Sequence, residues 1–210
     1  MLGLPKSTEM SKQLPKKAIY TKFQMNTAAK DKIDADISRI TIVNEITADK
    51  VNIPAGENVQ CFFVLLVTLK RRNFDEKNIA MLSKLIPQNI LFILEYEDSC
   101  KLAIYHTKLM QTQWRPDDQY SIELKGIDLD KVWENIVAQI GGITIADNNT
   151  LDEQIQLDES RQKLEKEIAK LEKLARSEKQ PRKKFELVQR IKQLRRDNDN
   201  CLLYTSDAAD

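Results

Sequence analysis

Val59-Gln-Cys-Phe-Phe-Val-Leu-Leu-Val-Thr-Leu-Lys70 is the stretch whose reading decides the fold. From Cys61 to Val67 it is apolar without a break and rich in aromatic and β-branched side chains. A run of that kind reads as a central strand covered on both faces. It is far too short to span a bilayer. A sheet therefore organises this part of the chain, and the neighbouring segments are read as its partners and its cover.

Upstream, Ser38–Ile46 alternates in part and is rich in Ile, Val and Thr, so it is expected as a strand. Val51–Ile53 is expected as a short partner before the turn Pro54-Ala-Gly-Glu57. Lys16–Phe23 and Thr27–Ile37 read as short helices, after two similar entries, Leu4-Pro-Lys and Leu14-Pro-Lys. Downstream, Ile79, Leu82, Leu85 and Ile86 share one face of a helix over Asp75–Ile86. Asn73 or Asp75 caps it, and Pro87 ends it. Asn89–Glu97 and Lys101–Thr107 form a hairpin about Asp98-Ser99, and Met110–Trp114 reads as a further strand. Tyr120–Lys125 alternates as an antiparallel strand with one wet face does. Leu129–Ile140 is amphipathic, with Asp128 as cap and Gly141-Gly142 as stop. Ile143–Ile145 is an edge strand or a linker.

After Ala146 the pattern changes. From Leu151 to about Arg196 the chain is charged, lacks glycine and carries leucine-type residues at coiled-coil spacing. Leu157, Leu164 and Leu171 repeat every seven residues, with Arg161, Ile168 and Ala175 at the alternate core positions. Glu159→Lys163 and Glu172→Arg176 stand in the favourable i,i+4 order. Ser177–Gln180 breaks the pattern, and Pro181 suits the first turn of a second helix. That helix offers Phe185, Val188, Ile191 and Leu194 as its apolar face. An antiparallel helical hairpin follows, with an intermolecular coiled coil as the alternative. Arg161 and Ala175 at core positions argue against a long dimer zipper.

The expected architecture is α+β. Residues 1–146 form a globular domain, a mainly antiparallel sheet with flanking helices on one side, and residues 151–198 form a coiled-coil-like helical hairpin arm. The last ten residues, 201–210, resemble the translated end of a transposon adapter used in preparing sequencing libraries. On that reading they are not native, and natural sequence beyond about Asn200 is missing.

The 210 residues carry a formal net charge of +1, so no overall field draws the chain to nucleic acid or anionic lipid. Charge is uneven, however. Arg176–Arg196 is strongly basic against only Glu178 and Glu186, and the first thirty residues hold several lysines. Such stretches hold phosphate or, more commonly, are solvated faces. Cys61 and Cys100 form no CxxC or Cys/His group, and Cys201 belongs to the suspected adapter. Neither a zinc site nor a disulfide framework is expected. Met1-Leu-Gly-Leu-Pro-Lys6 lacks the apolar core of a secretory signal, so the expected compartment is a reducing cytoplasm.

Several stretches together resemble a known family. They are Leu2-Gly-Leu-Pro-Lys-Ser-Thr8 with Leu14-Pro-Lys16, Ile90-Leu-Phe-Ile-Leu-Glu-Tyr96, Thr112-Gln-Trp114, and Leu124-Lys-Gly-Ile-Asp-Leu-Asp130 running into Val132-Trp-Glu-Asn135. They resemble an uncharacterised bacterial family, domain of unknown function four-three-nine-one, over about residues 1 to 145, with the helical arm continuing as in relatives of similar length. The resemblance implies no assigned activity. It ranks DNA-processing or defence machinery first among the settings considered.

The sharpest catalytic pattern is Pro116-Asp117 followed by Glu123-Leu-Lys125, which matches the Pro-Asp…Glu-x-Lys motif of a nuclease superfamily. In such a site Asp117 and Glu123 hold Mg²⁺ and Lys125 positions the attacking water. The spacing argues against it, because Asp117 stands only six residues before Glu123. Glu95-Tyr-Glu97-Asp98 reads as turn and edge residues rather than a cation site, and His106 as a strand residue. Gly141-Gly142 lacks a phosphate-loop frame. Trp114 and Trp133 read as packing anchors, with base stacking as the alternative for Trp114.

The function expected is therefore non-enzymatic. The chain is an assembly or accessory module, holding a protein partner or a second copy of itself through Leu157, Leu164, Ile168, Leu171, Leu187, Ile191 and Leu194. No cofactor, metal or membrane is expected. The two alternatives are the metal-dependent nuclease and a nucleic-acid-binding module using Arg182, Lys183, Lys184, Arg190 and Arg195.

Overall fold

The computed structural model describes residues 2–116, 119–145 and 149–206, with side chains described through 198. It divides into two compact units, Met1–Gly142 and Ile143–Asp210.

In the first unit, β1 (Glu9–Gln13) leads to α1 (Lys16–Lys22), α2 (Thr27–Asp36) and β2 (Ile37–Thr47). The expected strand at Val51–Ile53 is absent. A single helical turn, α3 (Ala48–Val51), stands there, and Asn52 closes it in the left-handed region at φ 54°. Asparagine tolerates that conformation better than most residues, which overrides the strand preference of its neighbours. The decisive stretch forms β3 (Cys61–Leu69). It leads into α4 (Glu76–Leu85), capped by the Asp75 carboxylate, which accepts from the Lys77 N–H. Ile86 turns extended before Pro87, as the residue before a proline must.

Next come β4 (Asn89–Tyr96), β5 (Ser99–Tyr105), β6 (Leu109–Gln111) and β7 (Arg115–Pro116). The β4–β5 turn falls on Glu97-Asp98, one residue earlier than expected, with Glu97 at φ 52°. The strand expected over Met110–Trp114 is only the short β6. The sheet order is β1-β2-β3-β4-β5-β6, with β7 paired to β5. Every pairing is antiparallel except β3 with β4, and that parallel pair is joined through α4, as a parallel connection requires.

Helices cover both faces of this sheet, not one. Leu65, Val67, Phe92 and Ala103 lie on one face with Ile19 of α1, Ile33 of α2, and Ile79 and Leu82 of α4. On the other face, α5 (Leu129–Gly141) packs Trp133 against Phe62, the rings tilted and their centroids 5.2 Å apart. Alternation along β3 and β4 makes both faces apolar, so each demands a cover. Asp128 caps α5 by accepting from the Lys131 N–H, and Gly142 ends it at φ 63°.

The expected strand Tyr120–Lys125 is not a strand. Its backbone finds partners elsewhere: the Ile122 N–H donates to the Leu2 carbonyl at 3.0 Å, and Leu2 bridges Ser121. The Gln139 side chain clasps Glu123 through both its amide oxygen and its amide nitrogen, and Asn135 donates to the Lys125 carbonyl at 2.7 Å. Helix side chains thus take the place of a neighbouring strand. Ile143–Ile145 forms no strand.

Two carboxylate hubs, Asp36 buried and Asp130 partly exposed, tie the elements together. Asp36 accepts from the Asp75 N–H at 2.9 Å, from Asn78 Nδ2 at 2.7 Å and from Arg71. Asp130 accepts from the N–H groups of Glu57, Asn58 and Val59, while Leu129 N–H donates to the Pro54 carbonyl. The loop after α3 is thereby clipped onto the start of α5.

The second unit holds α6 (Leu151–Ser177) and α7 (Pro181–Ser206), the expected helical hairpin. Thr150 and Glu153 form a capping box that opens α6. α7 continues past the expected arm end at 198, and residues 207–210 of the suspected adapter lie outside the described residues. No described helix is long and apolar enough to cross a membrane.

Candidate protein-docking site on the helical arm

An antiparallel pair of helices buries only the stripe where they face each other. In α6 and α7 that stripe includes Ala175, Ile191 and Leu194, all buried. Leu157, Leu164, Ile168, Leu171 and Leu187 are half-buried. The residues expected to hold a partner therefore form in large part the inside of the hairpin. Charges lock the same arrangement. Arg195 reaches Glu172 at 2.7 Å and Arg190 reaches Glu167 at 3.8 Å, both across the helix pair. Glu172 was expected to serve Arg176 within α6, but that contact is the longer one at 3.9 Å. Arg161, at an expected core position, is exposed and pairs with Glu165.

The apolar face expected for the second helix splits in two. Ile191 and Leu194 turn inward, whereas Phe185 is 63% exposed and Val188 is 37% exposed. These two stand one turn apart, so their side chains are neighbours on the helix surface. Beside them runs a groove of about 360 Å³, floored by Ala175, Val188 and Ile191. Arg176, Lys184, Lys192 and Arg195 stand around it, with Glu172 as the only acid among the described residues, and Glu172 is already paired with Arg195. The opposite side of the hairpin carries a second groove at Leu174 and Leu187. Its flanks mix Glu178 and Glu186 with Lys183 and Arg190, so its field is balanced.

The residues of the nucleic-acid alternative do not form one free stripe. Arg190 and Arg195 face α6 acids, Arg182 pairs with Glu186 at 3.4 Å, and Lys183 and Lys184 are exposed. For the nuclease alternative, Asp117 lies outside the described residues. Glu123 and Lys125 form an exposed ion pair with each other, on a segment that is not the expected strand. Among the described residues no group of three His, Cys, Asp or Glu side chains converges to hold a metal ion.

Trp114 packs against the core, with Arg72 and Lys101 5.5 and 5.3 Å from its ring centre. Lys101 also sits 4.8 Å from the Phe74 ring centre. Burial pushes its amine below the usual lysine range, against the field of Glu76. Sequence reasoning missed this lysine, whose only local mark is a charge inside an otherwise apolar strand.

No curated protein and no solved structure matches the chain. The model of one family, described as domain of unknown function DUF4391, matches residues 2–197, and the chain belongs to that family.

Proposed function

We propose that this chain is a non-enzymatic assembly module of the bacterial cytoplasm, serving DNA-processing or defence machinery, whose helical arm docks an acidic amphipathic helix of a partner protein. The observation that carries this reading is the exposed Phe185–Val188 pair beside a groove flanked by Arg176, Lys184 and Lys192. Two helices cannot enclose their apolar residues alone, and a third helix laid in such a groove covers them. The surplus of cations selects acids on the incoming helix and speeds its encounter. The side chains closed within the hairpin, Ile191 and Leu194, hold the arm in the shape that presents the groove.

The test is titration of the full chain with a labelled amphipathic peptide whose apolar stripe is leucine and whose flanks are glutamate. A peptide with lysine flanks is the control. The expected result is saturable binding of the acidic peptide that weakens as salt rises. Phe185→Asp with Val188→Asp should weaken it at least tenfold, with the helix content of the chain unchanged. Equal binding of the lysine peptide, or no loss in the double variant, overturns the reading. Binding that persists in the double variant but disappears in Leu174→Asp moves the site to the other groove and also overturns it.

A further inference from the structure

A second opening lies in the sheet unit, and it has no part in the arm reading. β2, β3 and β4 are interior strands of the sheet, so their apolar side chains are expected to be fully covered. Phe62 and Val64 are. Phe63 and Ile42, on the face shared with α1 and α4, are only half-buried. They belong to the floor of a cleft of about 290 Å³, completed by Leu65 and Ile90. Ala18, Ile19, Lys22 and Phe23 of α1 form one wall, and Ile86, at the end of α4, stands on another side. Among the described residues, the only polar side chains lining it are Lys22 and Gln88.

α1 cannot simply roll inward to close this gap. It is held on its other side, where Lys16 pairs with Asp34 and donates to the Ile37 carbonyl at 2.9 Å. Tyr20 also donates its hydroxyl to Asp34 at 2.9 Å. Apolar surface left wet costs about 25 cal/mol per Å², so an apolar occupant is favoured. Size limits what that occupant is. The volume lies at the lower end of the roughly 300–1,000 Å³ typical of small-molecule sites. One turn of helix, about 5.4 Å long and 10 Å across, is larger than the cleft, whereas a flexible hydrocarbon chain fits it. Charge limits it further. Lys22 stands among the lining residues with its ammonium 5.4 Å from the Phe23 ring centre, and it is in no ion pair among the described residues.

We infer that this cleft binds a small amphiphile with one apolar chain and one anionic head, such as a medium-chain carboxylate. The chain lies on Phe63, Ile42 and Ile90, and the head meets Lys22 and Gln88. The experiment uses the full-length chain, with decanoate displacing the fluorescent anion 1-anilinonaphthalene-8-sulfonate. Decyltrimethylammonium, which has the same chain and the opposite head, is the control. Both ligands stay below their micelle-forming concentrations. Two variants are compared, each at an exposed position of α1. Ala18→Phe fills the cleft, and Lys22→Glu reverses its charge.

Decanoate is expected to displace the probe from the wild-type chain and to raise its melting temperature. Lys22→Glu should need at least tenfold more decanoate and should favour the ammonium ligand. Ala18→Phe should bind neither ligand while melting no lower than wild type. The inference is overturned by no binding of decanoate, by equal binding of both head groups to wild type, or by undiminished binding in Ala18→Phe.

Discussion

Asp36 shows how much one side chain can organise. It is 1% exposed, and its carboxylate receives Arg71, the Asp75 N–H and Asn78 Nδ2. Burial alone pushes its carboxyl up. The Asp75 N–H, the Arg71 guanidinium and Asn78 together outweigh burial and hold it below the usual carboxylate range. Because the folded value is depressed, the stabilisation is fully present above the unfolded value of about 3.9 and is lost as pH falls through the folded value. Asp36→Asn turns two donors toward donors and removes the charge. It should cost about 2–4 kcal/mol at neutral pH. In urea unfolding followed by circular dichroism, the gap from wild type should be widest at neutral pH and should narrow below about pH 3.9. Asp34, also depressed, chiefly by its hydrogen bond with Lys16, titrates in the same window but is present in both proteins. A gap that stays constant down to strong acid would show that Asp36 acts by packing rather than charge.

At the scale of elements, local signals were legible and long-range ones were not. β3 declared itself by its unbroken apolar run, and α4 by the spacing of Ile79 and Leu82 before Pro87. α5 was legible from its apolar face, the Asp128 cap and Gly142. Each of these depends on neighbours within a few residues. Tyr120–Lys125 alternates as a strand does, yet its partners are Leu2, Asn135 and Gln139, which no local pattern names. Thr150-Leu-Asp-Glu153 spelled a capping box that went unread. On the arm, the heptad leucines were legible, but spacing alone did not say that α7 would turn Ile191 and Leu194 inward and leave Phe185 and Val188 in water.

The loop clipped to α5 tests the same distinction. Gly56 lies so close to Asp130 that an added Cβ would stand 2.7 Å from the Asp130 backbone nitrogen. Gly56→Ala should push the loop off the carboxylate and cost about 1–3 kcal/mol through three weakened N–H bonds. Asp130→Ala removes those bonds directly. If both act through the clip, the double variant should cost clearly less than the sum of the singles. Additive losses in a double-mutant cycle would mean that the glycine and the aspartate stabilise the fold separately.

Across the whole molecule, stability is unevenly distributed, because the two units bury very different amounts of apolar surface. The sheet unit encloses Phe62, Phe92 and a continuous aliphatic core covered on both faces. The arm closes few apolar side chains completely and relies on ion pairs such as Arg195–Glu172, most of which are exposed and worth only about 0–1 kcal/mol each. Most helical stability in proteins comes from tertiary packing of an amphipathic face rather than from length or propensity. Native-state hydrogen exchange on the full chain should therefore separate the two. Amides of β3 and β4 should exchange only through global unfolding, at a free energy on the order of 5–15 kcal/mol. Amides in the middle of α6 and α7 should open locally at a few kcal/mol, despite lying in long continuous helices. Addition of the acidic helical peptide should raise arm protection and leave β3 unchanged, because the peptide stabilises only the unit that binds it. Arm amides protected as strongly as β3 in the free chain would mean that the hairpin is already covered, and would remove the physical reason for a third helix to bind there.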